Sequence, residues 1–206
     1  MNLGEVLEFR KDLYFEGAVK IDWFYSPDKS AKVAENFVFQ GNEYYGVEDR
    51  GFERNKMIDT IHFVRNLTEK LSDENSNPLS LAIADYGTGK SHLAVTMAQI
   101  FSGPKYMPEV YDKVINNIAT IDSDSANFIR ENTKGRNFVV VLNGMRDFNL
   151  NSEILRSVQK SLDLYGISNE FLVKVNTTIK TAKTFFEINI KKEPELFIKA
   201  VSIIRT

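Results

Sequence analysis

The sequence predicts an α/β fold, in which a parallel β-sheet core is flanked by helices and a small irregular cap lies at the N-terminus. Three observations predict it. The run at 79–84, LSLAIA, is short and apolar, as is expected of a strand buried on both faces. The run at 137–142, NFVVVL, is the strongest strand pattern in the chain. Amphipathic helical patterns lie before, between and after these two runs.

The cap is predicted from the mixed patterns of residues 1–50. A strand is expected over 18–25, AVKIDWFY, because β-branched and aromatic residues dominate it. A turn follows at 26–28, and a second short element covers 32–39. We therefore predict an N-terminal cap segment over residues 1–50 and a sheet-containing domain over 51–206. The helical pattern at 193–204 runs to the end of the chain, so we expect this domain to be truncated at its C-terminus.

Helices are predicted from apolar residues at three- and four-residue steps. The segment at 57–71, MIDTIHFVRNLTEKL, shows this spacing, and so does 92–101, HLAVTMAQIF. The pattern at 152–165 predicts a helix with Ser152 as its N-cap and Gly166 as its C-terminal stop. Between them, residues 106–132 are expected to form helices and loops.

Composition excludes several kinds of site. The 206 residues contain no cysteine and only two histidines, which excludes a disulfide scaffold, a thiolate zinc site, a cysteine nucleophile and a histidine-rich metal centre. The 26 basic and 28 acidic residues leave a net charge of -2, unlike a strongly basic nucleic-acid-binding protein. No apolar run reaches the ~18 residues that span a bilayer, and the N-terminus lacks a secretory signal. The sequence therefore predicts a cytoplasmic protein without a membrane partner.

Residues 84–91, ADYGTGKS, form the segment that carries chemistry. They fit the phosphate-binding loop pattern G-x-x-x-x-G-K-[ST], with Ala84 in place of the first glycine. Gly87 and Gly89 allow backbone conformations that turn amide N–H groups toward phosphate oxygens. Lys90 would then reach the terminal phosphates as the catalytic cation, and Ser91 would bind Mg²⁺. The strand pattern before the loop and the helical pattern after it favour this interpretation over a glycine-rich turn with an exposed lysine.

The predicted ligands are therefore ATP and Mg²⁺. GTP ranks below ATP because the chain lacks an Asn-Lys-x-Asp tetrapeptide that would recognise guanine. His92 follows the loop directly, where packing or a hydrogen bond near the sheet edge is favoured over catalysis. His62 is expected at a helix surface or boundary. The predicted nucleotide-binding residues of this segment are Asp85, Tyr86, Gly87, Thr88, Gly89, Lys90, Ser91 and His92.

Hydrolysis also needs acids that hold Mg²⁺ and orient water, and these usually end an apolar strand. The run at 137–142 ends instead in Asn143-Gly144, and the next acid is Asp147. Asp122 and Asp124 follow only a weak apolar segment, and a solvated loop or a helix cap is favoured there over a metal-binding loop. Either the protein does not hydrolyse nucleotide, or the acids lie beyond residue 206, which we favour.

Two further features are weaker. Arg130, Lys134 and Arg136 form a small basic cluster that could touch phosphate or DNA, although a solvated face is favoured. The single tryptophan, Trp23, lies among apolar residues and is expected in the core or at an interface.

Three stretches carry a resemblance to a known family: LEFRKDLYFEGAVKIDWF with VAENFVFQG, LSLAIADYGTGKSHLAVTMAQIFSGP, and NFVVVLNGMRDFN. On these stretches, within residues 7–150, the chain resembles the N-terminal P-loop region of large bacterial phage-defence ATPases, BREX-type or phosphorothioation-linked and AAA+-like. The resemblance implies a P-loop NTPase domain, ATP binding, a multi-protein defence complex and DNA as a further partner. In AAA+ ATPases the segment ahead of the first helix lines the adenine pocket, which implies Val47 and Arg50 here, with a surface loop as the equal alternative.

Two functions stay open. The first is an ATPase that converts hydrolysis into movement of a partner or DNA, together with other protein subunits or in a self-associated assembly. The alternative is a nucleotide-sensing interaction module that does not hydrolyse, and its motivation is the missing acid.

Overall fold

The computed structural model describes residues 18–41, 58–77, 79–83, 87–135, 137–144 and 150–170, together with single helical positions at 174, 181, 184, 187 and 195. The chain divides into two compact units, 1–161 and 162–206. The predicted boundary between a cap and a larger domain at residues 50 and 51 lies outside the described residues and stays a prediction.

The first unit is built from helices. Its first described element is a 3-10 helix, Ile21–Tyr25, and the α-helices with defined bounds follow. They are α1 (Pro27–Glu35), α2 (Thr60–Ser72), α3 (Lys90–Ser102), α4 (Pro108–Ala119), α5 (Ser123–Asn132) and α6 (Leu150–Leu164).

The five helices α1, α2, α3, α4 and α5 share one hydrophobic core. Helix α3 packs against α1, α4 and the 3-10 helix, and α5 packs against α2 and α4. Helix α4 contributes most because its apolar residues recur at helical steps and form one buried stripe. The fully buried side chains of this core include Ile61, Val64, Ile100, Val114, Ile118 and Ile129.

The predicted parallel sheet is wrong, because the described residues contain helices and no β-strand. Residues 79–83 belong to neither a helix nor a strand, and Leu79, Leu81 and Ile83 expose 78%, 81% and 85% of their surface. A strand buried on both faces would hide these side chains. A short apolar run is compatible with a buried strand, but the run forms a strand only if distant segments of the chain pair with it.

The second predicted strand is also absent, because residues 137–144 belong to neither a helix nor a strand. In residues 137–144 the backbone is held by side chains in place of a neighbouring strand. The Tyr25 hydroxyl accepts from the Val141 N–H at 2.9 Å and lies 2.9 Å from the Val141 carbonyl oxygen. Ser161 Oγ donates to the Val139 carbonyl at 2.8 Å. These bonds give backbone groups of Val139 and Val141 side-chain partners where a sheet would supply a neighbouring strand.

The irregular N-terminal cap is wrong for the described residues 18–41. The predicted strand over 18–25 contains the 3-10 helix, and the predicted turn at 26–28 is the start of α1. Pro27 is the first residue of α1, where its missing N–H and fixed φ are favourable. The side chains of Phe24, Val33 and Ala34 are buried, so this helical segment packs against the core.

The helical predictions are largely confirmed. The helix expected over 57–71 is α2, with Asp59 as its N-cap accepting from the His62 N–H at 2.8 Å. The prediction of Ser152 as an N-cap is wrong, because α6 begins at Leu150. Gly166 does stop α6. It adopts φ 64°, and the N–H groups of Gly166 and Ile167 donate to the carbonyls of Asp163 and Leu162, the pattern of a Schellman motif.

Candidate phosphate-binding site

The described part of the predicted loop, residues 87–91, leads directly into α3. Gly87 and Gly89 adopt φ values of 81° and 84°, in the left-handed region that side chains disfavour. A Cβ built on either glycine would meet nothing within 4 Å, so conformation and not crowding requires glycine here. Gly89 is the N-cap of α3, and its carbonyl accepts from the Leu93 N–H at 2.9 Å.

Lys90 and Ser91 occupy the first turn of α3, and residues 87–91 are all solvent-exposed. Helix N-termini carry backbone N–H groups without intrahelical partners, together with the positive end of the helix dipole. A glycine N-cap brings no side-chain oxygen to this end, and α3 has no side-chain cap. The arrangement can therefore receive an anion, with an ammonium and a hydroxyl beside it.

Helix α3 is anchored firmly beyond its first turn. Val95 and Ile100 are fully buried, and polar side chains on the same helix are buried with partners. Thr96 and Ser102 donate to the carbonyls of residues four positions earlier, and Gln99 Nε2 donates to Ser30 Oγ of α1. The loop is consequently attached to a helix whose body cannot shift without disturbing the core.

His92 does not point its ring into solvent as a catalytic group would. Its Nε2 lies 2.7 Å from the Val33 carbonyl oxygen of α1, and its ring packs edge-on against Phe37 with centroids 4.9 Å apart. Burial lowers the pKa of this imidazole, against a smaller raising effect of the bond to Val33. The hydrogen bond predicted for His92 is therefore present, but its partner lies at the end of a helix and not at the edge of a sheet.

Asp122, one of the candidate acids, is engaged in capping a helix. Asp122 is the N-cap of α5 and accepts from the Ser125 N–H at 2.9 Å and from Ser125 Oγ at 2.6 Å. These bonds lower the pKa of the Asp122 carboxyl, and the predicted helix cap is confirmed. In the part of the chain that the structure describes, no group of three histidine or acidic side chains is placed to hold a metal ion.

A polar cluster that sequence reasoning missed lies where residues 137–144 meet α6. The Asn143 side chain donates to Asp22 at 2.9 Å, and its N–H donates to Glu153 at 3.2 Å. Glu153 also pairs with Arg156 at 2.7 Å. The hydrogen bond from Arg156, followed by that from the Asn143 N–H, lowers the pKa of Glu153 to about 2. Only the Glu153–Arg156 spacing was visible in sequence.

A cleft of about 510 Å³ lies between α2 and residues 79–81, lined by Phe63, Leu67 and Lys70 among others. Among the predicted nucleotide-binding residues that the structure describes, 87–92, none lines this cleft.

Some predicted residues lie outside the described part of the chain, namely Val47, Arg50, Asp85, Tyr86, Arg136 and Asp147. Arg130 donates to Asn116 at 3.2 Å across α4 and α5. Trp23 is half-buried, with Lys29 Nζ 5.4 Å from its ring. His62 lies at the predicted boundary, with its Nδ1 2.7 Å from Asp59 Oδ2.

Comparison with known proteins gives no relative: no family model, no curated protein and no solved structure matches the chain. A search of the described residues for a membrane-spanning segment finds no helix with sufficient length and apolar character.

Proposed function

We propose that the chain binds the polyphosphate of ATP, with Mg²⁺, through the loop at 84–91. The observation that carries the proposal is the backbone of Gly87 and Gly89, both at positive φ directly before the helix that starts at Lys90. Loops of this kind turn successive N–H groups toward one point, and the helix end adds a favourable dipole. Lys90 would bind the terminal phosphates and Ser91 would bind Mg²⁺.

The wider role follows from the resemblance and is part of the same proposal. The chain would be the nucleotide-binding part of a larger cytoplasmic ATPase in a bacterial defence or DNA-processing complex, with other protein subunits as partners. The proposal does not require a parallel sheet in this part of the chain.

Removing the Lys90 ammonium is the direct test. Isothermal titration calorimetry of ATP with Mg²⁺ should show binding by the unchanged protein and a loss of about 10- to 100-fold in affinity for Lys90→Ala, because a charge-assisted hydrogen bond contributes about 1.5–3 kcal/mol. The matched control is Lys105→Ala, which removes an equal charge just beyond the opposite end of α3, about 20 Å away along the helix. Equal affinities for the two variants would refute the assignment of Lys90.

The alternative is a nucleotide-sensing module without hydrolysis. Two carboxylates support this alternative, because each already has a protein partner in place of a metal ion. Asp122 caps a helix, and Glu153 pairs with Arg156. A phosphate-release assay separates the two functions. Release that depends on Lys90 supports the ATPase, whereas tight binding without release supports the sensing module.

A further inference from the structure

The C-terminal end of α1 is capped by side chains from two other helices. The last four carbonyls of any α-helix have no intrahelical partner and must be bonded in another way. In α1, two of them find local partners and two are reached from α3 and α4. Locally, the Lys32 carbonyl accepts from Asn36 Nδ2 at 2.8 Å and the Ala34 carbonyl accepts from the Phe37 N–H at 3.3 Å. From the other helices, His92 Nε2 of α3 bonds the Val33 carbonyl at 2.7 Å, and Asn117 Nδ2 of α4 bonds the Glu35 carbonyl at 3.1 Å.

The bond from His92 has a defined chemistry. The Val33 carbonyl can only accept, so His92 Nε2 must carry the hydrogen. The edge-on contact with Phe37 and the half-buried position fix the ring plane as well. Since burial lowers the pKa of the ring, the neutral Nε2–H tautomer is the form that holds α1.

The position of His92 connects this bond to the loop. It is the next residue after Ser91, within the first turn of α3. Residues 87–91 are exposed, and α3 has no side-chain cap at Gly89, so these residues are not held by burial of their own side chains. The His92–Val33 bond ties the first turn of α3 to the core at the residue adjacent to the loop.

We propose that His92 is a positioning residue of the phosphate-binding loop. By bonding the Val33 carbonyl, it holds the first turn of α3 and the backbone amides of residues 89–91 in the orientation that receives phosphate. It does not contact the phosphate itself. Donors that bind a ligand must be held within about 0.5 Å of the productive geometry by supporting hydrogen bonds. This inference rests on the proposed function.

The test compares variants that differ only in the donor. His92→Leu keeps apolar bulk against Phe37 and loses the N–H, whereas His92→Gln carries an N–H at a similar reach. By calorimetry with ATP and Mg²⁺, His92→Leu should bind about tenfold more weakly, the size expected for one lost hydrogen bond. His92→Gln should recover affinity to within about threefold of the unchanged protein. Asn117→Leu, which removes the other interhelical cap of α1, should bind within about twofold of it.

Each outcome decides the matter. Unchanged affinity for His92→Leu would overturn the inference, and so would an equal loss for Asn117→Leu, because general docking of α1 would then explain both. If His92→Leu fails to fold, His92→Asn replaces it, because the shorter asparagine side chain does not reach the Val33 carbonyl. An ATP affinity of His92→Asn equal to that of His92→Gln would then overturn the inference. Failure of the unchanged protein to bind ATP would overturn the proposed function, and this inference with it.

Discussion

Replacing Gly103 by alanine is expected to destabilise the protein more than the same change at Gly87. Gly103 ends α3 with φ 76° and ψ 173°, a backbone region that essentially only glycine occupies. A Cβ at this position would lie 2.0 Å from the Gly135 carbonyl oxygen and 3.0 Å from that of Thr133. Both neighbours are backbone atoms, so no side chain can rotate away to make room.

The expected cost has two parts. Backbone strain in this region contributes about 1–3 kcal/mol, and displacement of tightly packed neighbours contributes about 1–3 kcal/mol more, for a total of about 2–6 kcal/mol. Gly87 has a similar φ of 81° but nothing within 4 Å of an added Cβ. Its replacement should therefore cost only the strain of a left-handed residue, about 1–2 kcal/mol.

Urea unfolding of the ligand-free protein, followed by circular dichroism, measures both values. The midpoint should fall for both variants while the denaturant slope stays constant, so that the difference reports the folded state. In a thermal scan Gly103→Ala should lower Tm by at least about 4 °C, since each kcal/mol is equivalent to about 2–4 °C in a chain of this size. If the two variants agree within about 0.5 kcal/mol, the close approach of residues 103 and 135 is not present and the reasoning is refuted.

Two further predictions concern the segment at 137–144. Tyr25→Phe should lower the free energy of unfolding by about 1–3 kcal/mol in urea titrations, because the buried Val141 N–H loses its acceptor; a loss no larger than that of Tyr111→Phe, whose hydroxyl bonds a side chain, would contradict this. The pKa of Glu153 is about 2 in the folded protein and 4.5 as the ordinary value, chiefly because of Arg156, so the unfolded state binds more protons between these values. The stability advantage of the unchanged protein over Glu153→Gln should be complete above pH 4.5 and disappear as the pH falls through about 2, and an advantage that persists unchanged at the lowest pH would count against the assigned pairing.

Helices and their ends were predictable because their causes are local. The apolar steps of α2, the start of α3 at the loop and the stop at Gly166 each depend on residues within a few positions. The positive φ of Gly87 and Gly89 was likewise implied by the motif. Ser152 failed as an N-cap because the actual start lies two residues earlier, within the usual uncertainty of helix boundaries.

Whether an apolar run forms a strand could not be predicted from neighbouring residues alone. The apolar runs at 79–84 and 137–142 have the composition of buried strands, but burial and pairing depend on residues far away in the chain. The Tyr25 hydroxyl that bonds Val141 is 116 residues distant, and no local pattern indicates such a partner. The aromatic and β-branched content of 18–25 misled for the same reason, because packing of Phe24 into a helical core overrides intrinsic β-propensity.

The amino-acid sequence by itself determined where α3 begins and which small, basic and hydroxyl residues stand at that point, since glycine conformations and helix ends follow from neighbouring residues. Only the tertiary structure decided that the apolar runs do not form a sheet in the described residues and that His92 bonds Val33, 59 positions earlier. Contacts of that length depend on how the helices pack together, which no short stretch of sequence specifies.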